Sequence, residues 1–179
     1  MRSSPAFFVA MVVAVLAFDA GEAHTPSADI ESERDPSGAW VLNPALSDLG
    51  GLAGIGRDEL LPGGAIDILR RCLEAPEQLV LRLTDASVTF YQNDGSRRVY
   101  PISGARIKEE ILDLPLETRA AWTGSALRLE RKARGGVSIT ELYAVDPETN
   151  RLTVTAAARA RRASLPGRIR RVYDSVTAR

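Results

Sequence analysis

The chain has 179 residues, 45% of them hydrophobic, with 23 basic and 23 acidic side chains that leave a formal net charge of +0. One cysteine, Cys72, rules out an internal disulfide framework. One histidine, His24, rules out a Ser-His-Asp triad, a Cys-His dyad and a histidine metal centre.

The N-terminus sets Arg2 before an apolar run from Ala6 to Phe18 that is short for a bilayer span, and small residues follow it. Residues 1–23 read as a secretory signal peptide. Gly21 and Ala23 suit the −3 and −1 positions of a signal peptidase, so cleavage is expected before His24, with Ala20 a weaker site. The competing reading is an N-terminal membrane anchor. After cleavage 156 residues remain, no cysteine follows the signal to carry a lipid, and the mature chain holds no apolar run of spanning length. A periplasmic or secreted protein held together by apolar burial is the expectation.

Residues 24–36 are polar, acidic and without periodicity, a flexible leader to a single domain over 37–179. Its first strand spans Gly38 to Leu42 and stops at Asn43-Pro44. The run GGLAGIG, Gly50 to Gly56, is too permissive in backbone to be regular structure; it lacks the Lys-Ser/Thr of a phosphate-binding P-loop and no βαβ unit surrounds it. Ile66, Leu69 and Leu73 then recur at helical spacing, with Arg70, Arg71 and Glu74 on the opposite side. One short helix over about 65–74 follows, ended by Pro76 and suited to capping a barrel or covering a sheet face.

Beyond Leu79 the pattern is strand and turn, and the hairpins can be registered because opposed residues share a face. A two-residue loop at Asp85-Ala86 sets Leu81 against Phe90 and Leu83 against Val88. A two-residue loop at Asp94-Gly95 sets Phe90 against Val99, again inward. With Gly124-Ser125 as the loop, Trp122 faces Leu127 and Ala120 faces Leu129 inside, while Arg119 meets Glu130 outside. A two-residue loop at Gly135-Gly136 turns Leu142 and Ala144 inward, whereas the hairpin over Asp146 to Asn150 prefers Tyr143 and Val145 inside. A bulge in one strand is the expected resolution.

The sum is a mainly β fold: an antiparallel up-and-down meander, either a lipocalin-like barrel or a strongly curled sheet, of 8–10 strands with one short helix. Residues 24–60 carry seven acidic and two basic side chains, while 151–179 carry eight arginines against Asp174, an asymmetry that favours the first and last strands meeting.

Gly38-x-Trp40 resembles the lipocalin and calycin signature. That resemblance implies a Trp at the closed barrel end beneath an Arg of the final strand: Arg171, which shares the face of Ile169 and Tyr173, with Arg170 the alternative. GAWVLNPALSD, LEAPEQL, NDGSRRVYP and RIRRVYD together resemble a group of uncharacterised exported bacterial proteins with a lipocalin-like sheet, over most of residues 38–174. The likeness implies a fold and an export route, not an activity; the lipocalin cysteines and usual middle motifs are absent.

No residues are assigned to catalysis, metal or cofactor. Lys108 and Lys132 lie in no Ser-x-x-Lys arrangement, and Glu109 and Glu110 are neighbours on a strand, pointing to opposite faces. Cys72 reads as a small buried apolar group. Glu141 has two readings. If Val137, Ile139, Tyr143 and Val145 face inward it lies among them and needs a partner such as Arg171 or a ligand; if a bulge turns it outward it is solvated, and the register conflict favours the bulge.

The leading expectation is a non-enzymatic exported protein binding a small apolar or amphipathic ligand in a barrel lined by Leu81, Phe90, Val99, Trp122, Leu127 and Leu129, with Glu141 a further lining candidate. An interior filled by its own side chains is equally compatible with such a barrel. The rival is a cell-envelope module that docks a protein or anionic glycolipid through Arg159, Arg161, Arg162, Arg168 and Arg170; its binding would weaken sharply with salt. Nucleic acid is disfavoured by the neutral total charge, and a hydrolase would need unusual Asp/Glu chemistry.

Overall fold

Among the described residues ten strands follow one another in a meander, with an α-helix after the first, and form one antiparallel sheet. The computed structural model describes residues 35–49, 65–160 and 168–176. The expected signal peptide, the expected leader as far as residue 34, the GGLAGIG run, Arg161 and Arg162 lie outside the described residues. The elements are β1 (Gly38–Leu42), α1 (Ala65–Leu73), β2 (Gln78–Leu83), β3 (Ser87–Tyr91), β4 (Arg97–Pro101), β5 (Ile107–Ile111), β6 (Leu114–Thr123), β7 (Ala126–Ala133), β8 (Ser138–Asp146), β9 (Arg151–Arg159) and β10 (Ile169–Ser175).

The strand order is β4-β3-β2-β1-β10-β9-β8-β7-β6-β5. β1 pairs on one side with β2 and on the other with β10, Trp40 opposite Ser175 and Leu42 opposite Tyr173, so the two ends of the chain meet. The remaining edges, β4 and β5, are drawn together around the barrel. Ser103 bridges to Ala121, the Gly104 amide donates to the Ala120 carbonyl at 2.9 Å, and the Tyr100 hydroxyl of β4 donates to Glu109 of β5 at 2.9 Å. The result is a nearly closed barrel, which leaves little open edge for another chain to pair with.

Period-two alternation sends one face of each strand inward. Two apolar clusters form. The first gathers Trp40, Leu81, Val88, Phe90, Tyr100, Leu127, Leu129, Tyr143, Leu152, Val154 and Tyr173; Phe90 meets Tyr100 and Tyr143 edge-on at centroid distances of 5.7 and 5.4 Å. The second lies where α1 covers the barrel, joining Ile68, Leu69, Cys72 and Leu73 to Ile111, Leu116, Val137, Ile139 and Ile169. Asp67 in the first turn of α1 and Arg70 and Arg71 in the last complement its dipole.

Two hairpins follow the sequence-derived register, Leu81 opposite Phe90 and Trp122 opposite Leu127 with Arg119 opposite Glu130. A third, Val145 opposite Leu152, does so as well. Two differ by one residue. At the β3–β4 turn Phe90 is opposite Arg98 and Val88 opposite Tyr100, because the Gln92 amide bonds the Ser96 carbonyl across a three-residue loop, with Gly95 at φ 81°. Val99 therefore points outward, 48% exposed, and Tyr100 takes the inward place expected for it. At the β7–β8 turn Arg134, Gly135 and Gly136 form the loop, both glycines at positive φ, and Lys132 lies opposite Ser138. Ile139, Glu141 and Tyr143 thus face inward. β8 pairs without interruption with β7 from Ser138 to Tyr143 and with β9 from Ser138 to Asp146, so the expected bulge is not needed.

Candidate functional site

Between the two apolar clusters, beneath α1, a band of charged and hydroxyl groups crosses the barrel interior. β8 brings Glu141 to its centre, 2% exposed, among Ile139 and Tyr143, correcting the expectation that it turns to solvent. Its two carboxylate oxygens accept from two guanidiniums: Oε1 from Arg171 of β10 and Oε2 from Arg131 of β7. Arg171 also donates Nη1–H to the Glu74 carbonyl just after α1, at 3.0 Å, which ties the helix to this band. Arg131 lies 3.9 Å from a second carboxylate, Glu109 of β5. Glu109 accepts from the Tyr100 hydroxyl, from Arg98 at 3.3 Å and from the Thr118 hydroxyl.

The electrostatics follow from this geometry. Burial alone would push the Glu141 carboxyl up, but the guanidiniums of Arg131 and Arg171 outweigh it and hold it below the usual carboxylate range. Desolvation works against charge on Arg131, and Glu141 more than compensates, so its guanidinium stays charged. Burial raises Cys72 to about 11 and Tyr100 and Tyr173 to about 12. All three are neutral near pH 7, which leaves the thiol unsuited to nucleophilic or redox work.

Three inward polar atoms remain unmatched among the described residues: Arg131 Nε, Arg171 Nε and Tyr173 Oη are buried without a hydrogen bond. Tyr173 lies within reach of the Arg171 side chain, whose charge and hydrogen-bonding contact partly offset the rise from burial, although Oη forms no hydrogen bond of good geometry. Buried donors of this kind are few in native interiors and ask for an acceptor.

Leu81, Phe90, Leu127 and Leu129 come together in the first cluster. Trp122 lies on the same face but at the hairpin end, 37% exposed, and Val99 is outside. Trp40 is buried and donates its indole N–H to the Pro36 carbonyl at 2.9 Å. Arg171, expected beneath Trp40, instead sits four residues along β10 from Trp40's partner Ser175 and gives its guanidinium to Glu141 and Glu74. Of the surface arginines, Arg159, Arg168 and Arg170 are exposed, and Arg170 donates to the Leu46 carbonyl at 3.2 Å.

Sequence reasoning missed Arg131, Glu109, Tyr100 and Thr118. The signal for the first was present: Leu127, Leu129 and Arg131 stand at i, i+2 and i+4, so the inward face continues into Arg131. A small cleft of about 190 Å³ lies on the outer face, lined by Gly104, Arg119, Ala121, Thr123, Arg128 and Glu130. Among the described residues no group of three or more His, Cys, Asp or Glu side chains could hold a metal ion, and no helix is long and apolar enough to cross a membrane.

No family model and no curated protein sequence matches the chain. Solved structures do. A fatty acid transporter, REP1-NXSQ, is similar with a TM-score of 0.53 at 13% identity, over 80% of this chain and 97% of that one. The fatty-acid-binding protein isolated from Manduca sexta is similar with a TM-score of 0.52 at 18% identity, over 79% and 100%. Secretory abundant heat soluble protein 4 from Ramazzottius varieornatus is similar with a TM-score of 0.55 at 9% identity, over 80% and 96%. The chain thus shares its overall β-barrel fold with these proteins; at such identities the likeness is one of fold.

Proposed function

We propose that the protein is a non-enzymatic carrier, binding a small apolar or amphipathic molecule inside the barrel. The observation that carries the reading is the set of buried donors without a hydrogen bond, Arg131 Nε, Arg171 Nε and Tyr173 Oη, in a charged band beside the apolar first cluster. The apolar body of the ligand lies among Leu81, Phe90, Leu127 and Leu129, and its polar end turns toward those donors. Leu127 and Leu129 are fully buried, so uptake requires the first cluster to part. The fold adds support by analogy, since two of the similar structures are named for fatty acids. The apolar run Ala6 to Phe18 behind Arg2 supports export as the setting in which the carrier works.

Native mass spectrometry of the protein extracted from its own host tests this. A lipid-sized adduct that organic solvent removes and added lipid restores is the expected result. A bare mass that takes up no long-chain compound overturns the reading.

A further inference from the structure

We propose that the barrel selects ligands whose polar end is uncharged, and that Glu141 sets this selectivity by occupying the place a ligand carboxylate would take. The inference rests on the carrier reading above. Its basis is a charge count. The interior band holds two guanidiniums, Arg131 and Arg171, with side chains 11% and 4% exposed, and two carboxylates, Glu109 and Glu141, 16% and 2% exposed. These balance with no ligand bound. Arg98, the further cation on Glu109, is 32% exposed and screened by solvent.

The chemistry of the neighbours leaves no spare charge. Tyr100, Tyr143 and Tyr173 are all raised by burial, as is the Cys72 thiol, so each is neutral at physiological pH. Both Glu141 oxygens hold a guanidinium, and the Tyr100 and Thr118 hydroxyls are committed to Glu109. An incoming carboxylate would add an uncompensated negative charge in a low-dielectric interior and would compete with Glu141 for the same N–H groups. Arg131 Nε–H, which lies 3.9 Å from Glu109 Oε1 and beyond hydrogen-bond range of it, and Arg171 Nε–H can instead donate to a neutral acceptor such as an alcohol, ester or amide oxygen, which adds hydrogen bonds and no charge.

Displacement of Nile red from the protein at pH 7.5 by decan-1-ol, decanamide and decanoic acid tests the idea with chains of matched length. The alcohol and amide are expected to bind about tenfold or more tightly than the acid. Glu141→Gln, which removes the internal negative charge, is expected to narrow or reverse that preference by raising affinity for decanoate. Glu109→Gln, at the more exposed carboxylate, is expected to shift it the same way, and serves if Glu141→Gln does not fold. Decanoate binding to the unaltered protein as tightly as the alcohol and amide overturns the inference while leaving the carrier reading in place. Failure of all three compounds to bind overturns the carrier reading and this inference with it.

Discussion

Glu141 is the residue on which the interior turns. A buried carboxylate between two guanidiniums is neutral bookkeeping while all three are present, because desolvating the ions costs about what their attraction returns. Removing one member leaves the others uncompensated. Glu141→Gln is therefore expected to lower stability by roughly 3 to 5 kcal/mol in urea unfolding, against under about 0.5 for a solvated glutamate. A loss in the lower range would mean that the side chain reaches water. The sequence supplied half of this site. It placed Glu141 inward only in the less favoured of two registers and left its partner open as Arg171 or a ligand; the contact with Arg171 is found. It missed Arg131 and Glu109, because the inward face was followed only as far as it stayed apolar. A polar residue in step with apolar ones is as firmly placed by a strand's alternation as they are.

At the scale of elements, both register errors have one physical cause. The sequence pattern at Asp94-Gly95 and Gly135-Gly136 predicts two-residue turns, the commonest hairpin loops, whereas each pair belongs to a three-residue loop with glycine in the left-handed region. One extra loop residue exchanges the faces of the following strand. That is why Val99 lies outside and Tyr100 inside, and why Glu141 faces its arginines. Where apolar residues and an opposite-charge pair agreed on a register, as at Arg119 and Glu130, the sequence was sufficient. Gly95 offers a direct check. A Cβ there would meet nothing within 4 Å, so only the φ of 81° opposes substitution. Gly95→Ala should cost about 1 kcal/mol, measured by denaturant unfolding; a neutral or stabilising change would mean that the turn has another conformation.

For the whole molecule, the ion band joins elements distant in sequence: β5, β7, β8 and β10 through their side chains, and the segment after α1 through the Glu74 carbonyl. Acid should therefore loosen the barrel through its centre. Glu141 titrates below its ordinary 4.5 in the folded protein, so it binds fewer protons there than in the unfolded chain. Its contribution is complete above about pH 4.5 and is lost as pH falls through the depressed folded value. Groups facing it from the packed elements, Arg131, Arg171, Tyr143 and Cys72, keep their protonation state over that range. The difference in Tm between the unaltered protein and Glu141→Gln should accordingly shrink below pH 4.5; a difference independent of pH would place the Glu141 charge outside the barrel's stability.

The central claim, that a charge-balanced band inside an apolar barrel presents donors to a ligand, is tested most directly at those donors. In ¹⁵N NMR spectra of the arginine side chains, Arg131 and Arg171 Nε–H should give sharp signals protected from exchange with water, and both should shift on addition of decan-1-ol. Fast exchange of the two signals, or positions unchanged while the alcohol binds, would contradict the account.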